Sequence, residues 1–175
     1  MKTFKGTLFG VFALIAIEQI IKIIIYSSFF YNRFAILPPL LYFEPMFNTR
    51  YSWFNSMLKF DGSKYLHITV VIIMSILIYL FYRFLCKKFG KIKIINIMFA
   101  FLFSGATCSL IDKVFWDGSL DYILVKGFFT FDLKDVYINV FIGLMVFSLL
   151  FKSKASKVIY SKNTFKDFSK FILRR

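Results

Sequence analysis

The sequence predicts an all-α membrane protein with four transmembrane helices. An outward-facing interfacial segment between helices 1 and 2 leaves room for a small β element. Three observations carry this. First, 59% of the 175 residues are hydrophobic and mean hydropathy is +0.70, where a soluble domain has roughly 45–50% apolar residues. Second, the excess is gathered into four runs, each close to the about 20 residues that cross a bilayer core. Third, the basic residues flank these runs in a pattern that sets one orientation. Residues 1–175 therefore read as a single membrane domain.

The first span is about 6–26, "GTLFGVFALIAIEQIIKIIIY". Lys2 and Lys5 precede it, as in a signal peptide. Its apolar run is too long for that and no small-residue cleavage site follows, so it reads as a retained helix. Glu18 and Lys22 lie at i, i+4 inside it and can pair. Ionisable residues at membrane depth mark function by default. The next segment, 27–65, is aromatic, carries two Pro-bearing turns and reads as lying at the interface. The second span is about 66–86, with His67 at its outer start as an interfacial histidine. The third is about 94–111. The fourth is about 136–151, short unless Asp135 and the aromatics before it begin the helix. Trp53 and Trp116 fall in the outward segments, as an aromatic belt places them.

Lys2 and Lys5 precede span one. Arg83, Lys87, Lys88, Lys91 and Lys93 join spans two and three. Lys152, Lys154, Lys157, Lys162, Lys166, Lys170, Arg174 and Arg175 follow span four. All three regions must share a side, the cytoplasm. The basic tail, 152–175, reads as an amphipathic or disordered arm against anionic lipid. The net charge of +14 raises nucleic acid as a partner. No nucleic-acid motif is present and the lysines cluster beside apolar runs, so membrane flanks account for the charge.

Five of the nine carboxylates fall between Asp112 and Asp135. The chain has one histidine, which excludes a His-rich metal site and any Ser/His or Cys/His mechanism without His67. Cys86 and Cys108 fit neither a zinc site nor a disulfide framework and read as packing residues. Ser109 has no evident base. No metal or cofactor is expected. Asp112 and Asp121 would lie on opposite faces of one continuous helix, nine steps of about 100° apart, but Gly118 is placed to end that helix. Asp117 reads as solvated. Asp132 and Asp135 share a face if span four has begun, with Asp135 favoured at a helix N-terminus. The apolar stretch "YILVKGFFTFDLK" can fold back and bring Asp121 and Asp135 together. Two such carboxylates share a proton, so one can activate water and the other can protonate the leaving group. Spacing alone equally allows aspartates that cap helices and keep a loop wet.

"CSLIDKVFWDGSLDYI" resembles the "GNLIDR…G.V.DF" motif of lipoprotein signal peptidase (signal peptidase II). "FDLKDVYINVFIG" resembles the family's "FN.AD…I..G", "IEQIIKIII" its "DQ..K", and "NTRYSWF" its "N.GAAF". The four motifs occur in family order, on the same four-span topology. The resemblance implies an intramembrane aspartyl endopeptidase of the bacterial cytoplasmic (inner) membrane, with both termini cytoplasmic. It would remove the signal peptide from diacylglyceryl-modified prolipoproteins, cleaving before the lipidated cysteine. Asp121 and Asp135 map to its catalytic aspartates. Asn48, Asp112, Lys113, Ser109, Asp132 and Glu18 map to its supporting polar positions. The implied partners are a lipidated prolipoprotein and membrane lipid, with the chain acting as a monomer.

Several positions depart from the family pattern: Ser109 and Asp132 stand for Asn, Lys113 for Arg, Lys134 for Ala, Glu18 for Asp, and Arg50-Tyr51-Ser52 for Gly-Ala-Ala. Lys134 is placed to offset Asp132. The departures imply a divergent member with altered substrate or inhibitor preference. Two other readings stay open: a non-catalytic accessory or binding protein with an acidic outward loop, and a small transporter using Glu18 and Lys22.

Overall fold

A computed structural model describes residues 2–49, 63–116, 118–161 and 163–173. Asp117, Trp53, the Arg50-Tyr51-Ser52 departure, Lys162, Arg174 and Arg175 lie outside the described residues. Four helices are long and apolar enough to cross a membrane. Helix α1 runs Lys2–Ile24 and continues through a π-turn, Ile25–Phe29. Helix α2 is Lys64–Phe89, α3 is Lys93–Phe115 and α4 is Leu133–Leu150.

Each helix is longer than its apolar run at the end that carries chemistry. Helix α3 continues four residues past Ile111 and takes Asp112 and Lys113 into its last turn. Helix α4 begins at Leu133, because Asp132 and Asp135 form a capping box. The Asp132 carboxylate accepts from the Asp135 amide, and the Asp135 carboxylate accepts from the Asp132 amide. This reciprocal arrangement satisfies two amides that a helix start leaves without intrahelical partners.

The segments that join α1 to α2 and α3 to α4 enter one antiparallel sheet of order β1-β2-β3-β4. Strands β1 (Phe34–Leu37) and β2 (Leu41–Asn48) come from the first segment. Strands β3 (Ser119–Val125) and β4 (Phe129–Phe131) come from the second. The expected fold-back between Asp121 and Asp135 is thus a hairpin joined to the first segment. Of the two expected Pro-bearing turns, only Pro38-Pro39 lies in a turn. Pro45 sits inside β2, where the register shifts between Phe43 and Met46, and a bulge accommodates a residue without an N–H.

Alternation along β3 divides two environments. Leu120 and Tyr122 join Ile25 in an apolar cluster, while Ser119 and Asp121 face the acidic cluster described below. Gly118 makes this entry possible. Its φ is +155°, and a Cβ there would lie 2.9 Å from the Asn48 carbonyl oxygen.

At the opposite end, Tyr82, Phe84, Leu85, Ile95, Met98 and Phe99 form a larger core. Of the two readings of the basic tail, the described residues take the ordered, amphipathic one. The tail folds into helices α5 (Lys154–Ile159) and α6 (Thr164–Ile172). Ala155, Val158 and Ile159 of α5 are buried in that core. Lys88 of α2 pairs with Asp167 of α6, and the ammonium hydrogen bond holds that carboxyl below the usual carboxylate range.

Candidate active site

Three of the expected residues converge at one point. A carboxylate oxygen from each of Asp121, Asp132 and Asp135 lies within 4.8 Å of the others. Strand β3 supplies Asp121 and the capped start of α4 supplies the other two. The α3 helix ends at Phe115, so Asp112 and Asp121 do not sit on opposite helix faces. The chain turns at Gly118, and the Ser119 hydroxyl lies 3.1 Å from Asp112 Oδ2 and 2.6 Å from Asp121 Oδ1.

Two buried lysines knit the acids together. Lys22 Nζ of α1 reaches Asp112 Oδ2 and Asp132 Oδ2, each at 2.7 Å, and Glu18 Oε1 at 3.2 Å. The two aspartates sit at hydrogen-bond distance, while Glu18 Oε1 makes an ion pair and no hydrogen bond. Lys134 Nζ of α4 bonds to Asp132 Oδ2 and to Ser119 Oγ at 2.6 Å. It lies 3.2 Å from Asp112 Oδ2 and 3.6 Å from Asp121 Oδ1. The sequence reading of Lys134 as an offset to Asp132 therefore holds, and the ammonium also reaches Asp121. The acid cluster has the spacing to hold a cation, but these ammonium groups already bring positive charge to it.

The environments of Asp132 and Asp121 differ. Burial would raise the Asp132 carboxyl, but Lys134 and Lys22 outweigh it and hold that group down at about 2. Burial raises Asp121 above the ordinary carboxylate value, against the charge of Lys134 and the hydrogen bonds from Ser119 and Asn48. Asn48 Nδ2 donates to Asp121 Oδ2 at 3.1 Å. The β2–β3 register, with Asn48 opposite Ser119 and Met46 opposite Asp121, delivers this contact. Glu18 lies deeper, where the Tyr122 hydroxyl, itself accepting from the Leu133 amide, reaches it at 3.4 Å. Burial raises that phenol above its ordinary value, so it remains a neutral donor.

A cavity of about 610 Å³ opens onto the acids. Asp121, Asp135, Lys134 and Ser119 line one side, and Val70, Val71 and Ile138 add an apolar wall. Lys113 and Ser109 also line it, joined by a 2.8 Å hydrogen bond from Lys113 Nζ to Ser109 Oγ one helical turn away. These two stand at the cavity wall, while Asp112 and Glu18 stand behind the acids. The cavity thus joins the carboxylates and an apolar wall in one space.

Ser119 escaped the sequence reading, as did the cavity position of His67. Ser119 stands two residues before Asp121, which puts both on one face of a strand. That signal exists only if the stretch is recognised as β. His67 sits in the first turn of α2, and there it lines the cavity.

The comparisons bear on the fold and the family. Two solved structures share the fold, both described as a bacterial membrane enzyme determined by the in meso method. One, at 2.3 Å resolution, gives a TM-score of 0.64 at 20% identity over 87% of this chain and 92% of the other. The second, at 1.9 Å resolution, gives 0.63 at 20% identity over 83% and 93%. A lipoprotein signal peptidase of Fusobacterium nucleatum subsp. nucleatum is 30% identical over 94 residues, 52% of this chain and 56% of the relative. The matched stretch thus spans little more than half of that relative's length. The family model described as signal peptidase (SPase) II matches residues 10–151, which include every site residue named above. With four-fifths of its length inside that match, the chain belongs to the signal peptidase II family.

Proposed function

We propose that this chain is an aspartic endopeptidase. It removes signal peptides from diacylglyceryl-modified prolipoproteins by cutting before the lipidated cysteine. It acts as a monomer in the bacterial cytoplasmic membrane, with both termini inside. One observation carries the reading: Asp121 and Asp135 bring carboxylate oxygens within 4.8 Å of each other at a cavity between the outer ends of the spans. The family match supports a peptidase, and the relative's name supports the lipoprotein substrate.

Two carboxylates at this distance in a buried site do not both ionise cheaply, so the pair carries one proton. The ionised member removes a proton from water as the water oxygen bonds to the scissile carbonyl carbon. The protonated member gives its proton to the carbonyl oxygen, and a neutral gem-diol results. On collapse the gem-diol returns a proton to the second aspartate. The first gives its proton to the nitrogen as the C–N bond breaks. Acid and amine leave, and the pair regains its starting state. Asn48 orients Asp121, and the apolar wall at Val70, Val71 and Ile138 suits acyl chains entering from the bilayer.

The test is cleavage of a lipidated prolipoprotein by purified full-length protein carrying Asp121→Asn or Asp135→Asn. Both variants should insert and fold yet lose turnover. Parent-level activity in either one would refute the assignment.

A further inference from the structure

We propose that Lys134 is a positioning residue that fixes where the dyad keeps its shared proton. Acting directly and through the Ser119 hydroxyl, its ammonium leaves Asp121 as the ionised base and Asp135 as the acid. The inference rests on the dyad reading above and adds a role for each member.

The hydroxyl of Ser119 has one proton. Its oxygen accepts from Lys134 Nζ at 2.6 Å, so that proton must point elsewhere. Three acids compete for it: Asp121 Oδ1 at 2.6 Å, Asp112 Oδ2 at 3.1 Å and Asp132 Oδ2 at 3.2 Å. The last two oxygens already accept from Lys22 at 2.7 Å, so Asp121 is the favoured acceptor by both distance and competition. The other Asp121 oxygen accepts from Asn48. With both oxygens accepting and an ammonium 3.6 Å away, the charged form of Asp121 is the better satisfied. Asp135 Oδ2 accepts a longer bond, 3.4 Å, from the Asp132 amide.

Charges on every packed element were weighed. On α1, Lys22 is occupied by Glu18, Asp112 and Asp132. On α3, Asp112 joins both buried lysines, and Lys113 is turned toward Ser109. On α2, His67 lines the cavity. On α4, Asp132 bonds to Lys134. Lys134 and, from α3, Lys113 also act on Asp135, so the preference for Asp121 rests on the hydrogen bonds that Ser119 and Asn48 donate to it.

The experiment is the pH dependence of kcat/KM for cleavage of a lipidated prolipoprotein by the full chain. Lys134→Met removes the ammonium while keeping most of the side-chain bulk. Its acid limb should move to higher pH by about one unit or more, a tenfold loss below the limb that is regained above it. Ser119→Ala cuts the relay but leaves the charge, and should move the limb the same way by less. Lys134→Arg should return the limb toward the parent position. A limb that stays in place in folded Lys134→Met overturns the proposal. Should that variant fail to fold, an unmoved limb in Ser119→Ala overturns it. Inactive Asp121→Asn and Asp135→Asn with an unmoved limb would remove this inference alone, whereas an active Asp121→Asn removes the dyad reading with it.

Discussion

Replacing Lys22 by Met should cost this protein far more stability than a helical Glu–Lys pair suggests. An exposed i, i+4 pair is worth about 0.3–0.5 kcal/mol. Lys22 and its partners Glu18, Asp112 and Asp132 are all fully buried. At 2.7 Å and an effective dielectric of about 20, each of the two short contacts is worth about 6 kcal/mol before desolvation is counted. Recovering the hydration of the ammonium in the unfolded chain offsets much of that. Loss of one partner from a buried ion cluster therefore settles near about 3–5 kcal/mol. For a chain of this size that corresponds to a fall in Tm of about 6–20 °C. The assay is thermal unfolding in detergent micelles for the parent, Lys22→Met, Asp132→Asn and the double variant. The double variant should recover part of the loss, because it removes one of the carboxylates whose charge Lys134 would otherwise have to balance without Lys22. A Lys22→Met protein within about 1 kcal/mol of the parent, below the range for a broken buried pair, would refute the reasoning.

The acid side of the stability profile should report Asp132. Its folded carboxyl is held down at about 2 from an ordinary 3.8. A depressed carboxyl stabilises the fold above the unfolded value, and that share, on the order of 2 kcal/mol, is lost as pH falls from about 4 toward 2. Asp121 acts with the opposite sign, since burial raises it, and its ionisation weakens the fold as pH rises past 3.8. Asp132→Asn should flatten the slope below about pH 4 in a Tm-versus-pH series, and an unchanged slope would contradict the assignment. Truncation after Phe151 should lower Tm although the family match ends there, because Val158 and Ile159 leave the core. Two such side chains are worth about 3–6 kcal/mol, and a Tm equal to the parent's would show that α5 contributes nothing.

The spans were legible because a bilayer demands one simple thing, a run of apolar residues, and the four runs answer it. Their outer ends were less so. A hydropathy run stops at Ile111, yet the helix continues because Asp112 meets the buried Lys22 ammonium and Lys113 bonds to the Ser109 hydroxyl one turn back. The pairing of Asp121 with Asp135 could be read because both flank one short connection. The sheet could not. Strand β2, "LYFEPMFN", holds a glutamate and a proline and shows no clean alternation. It is a strand because β3 pairs with it from more than seventy residues away. Ser119 was lost with the sheet, since only a strand puts it beside Asp121. Folding of the tail depends likewise on a groove made by distant helices, which basic composition does not reveal.

On the proposed assignment of Asp121 and Asp135, the joint sheet also sets when a cutting centre can form. Asn48 and Asp121 are 73 residues apart and meet only when β2 pairs with β3. Until the third span has crossed and released its hairpin, β2 has β1 as its sole partner within the sheet order. Asp135 arrives later still, at the head of the last span. A nascent chain caught part-way through insertion therefore holds the pieces of the cleft and no cutting centre. On that assignment, proteolytic competence is acquired in one late step, once the last span has joined the others.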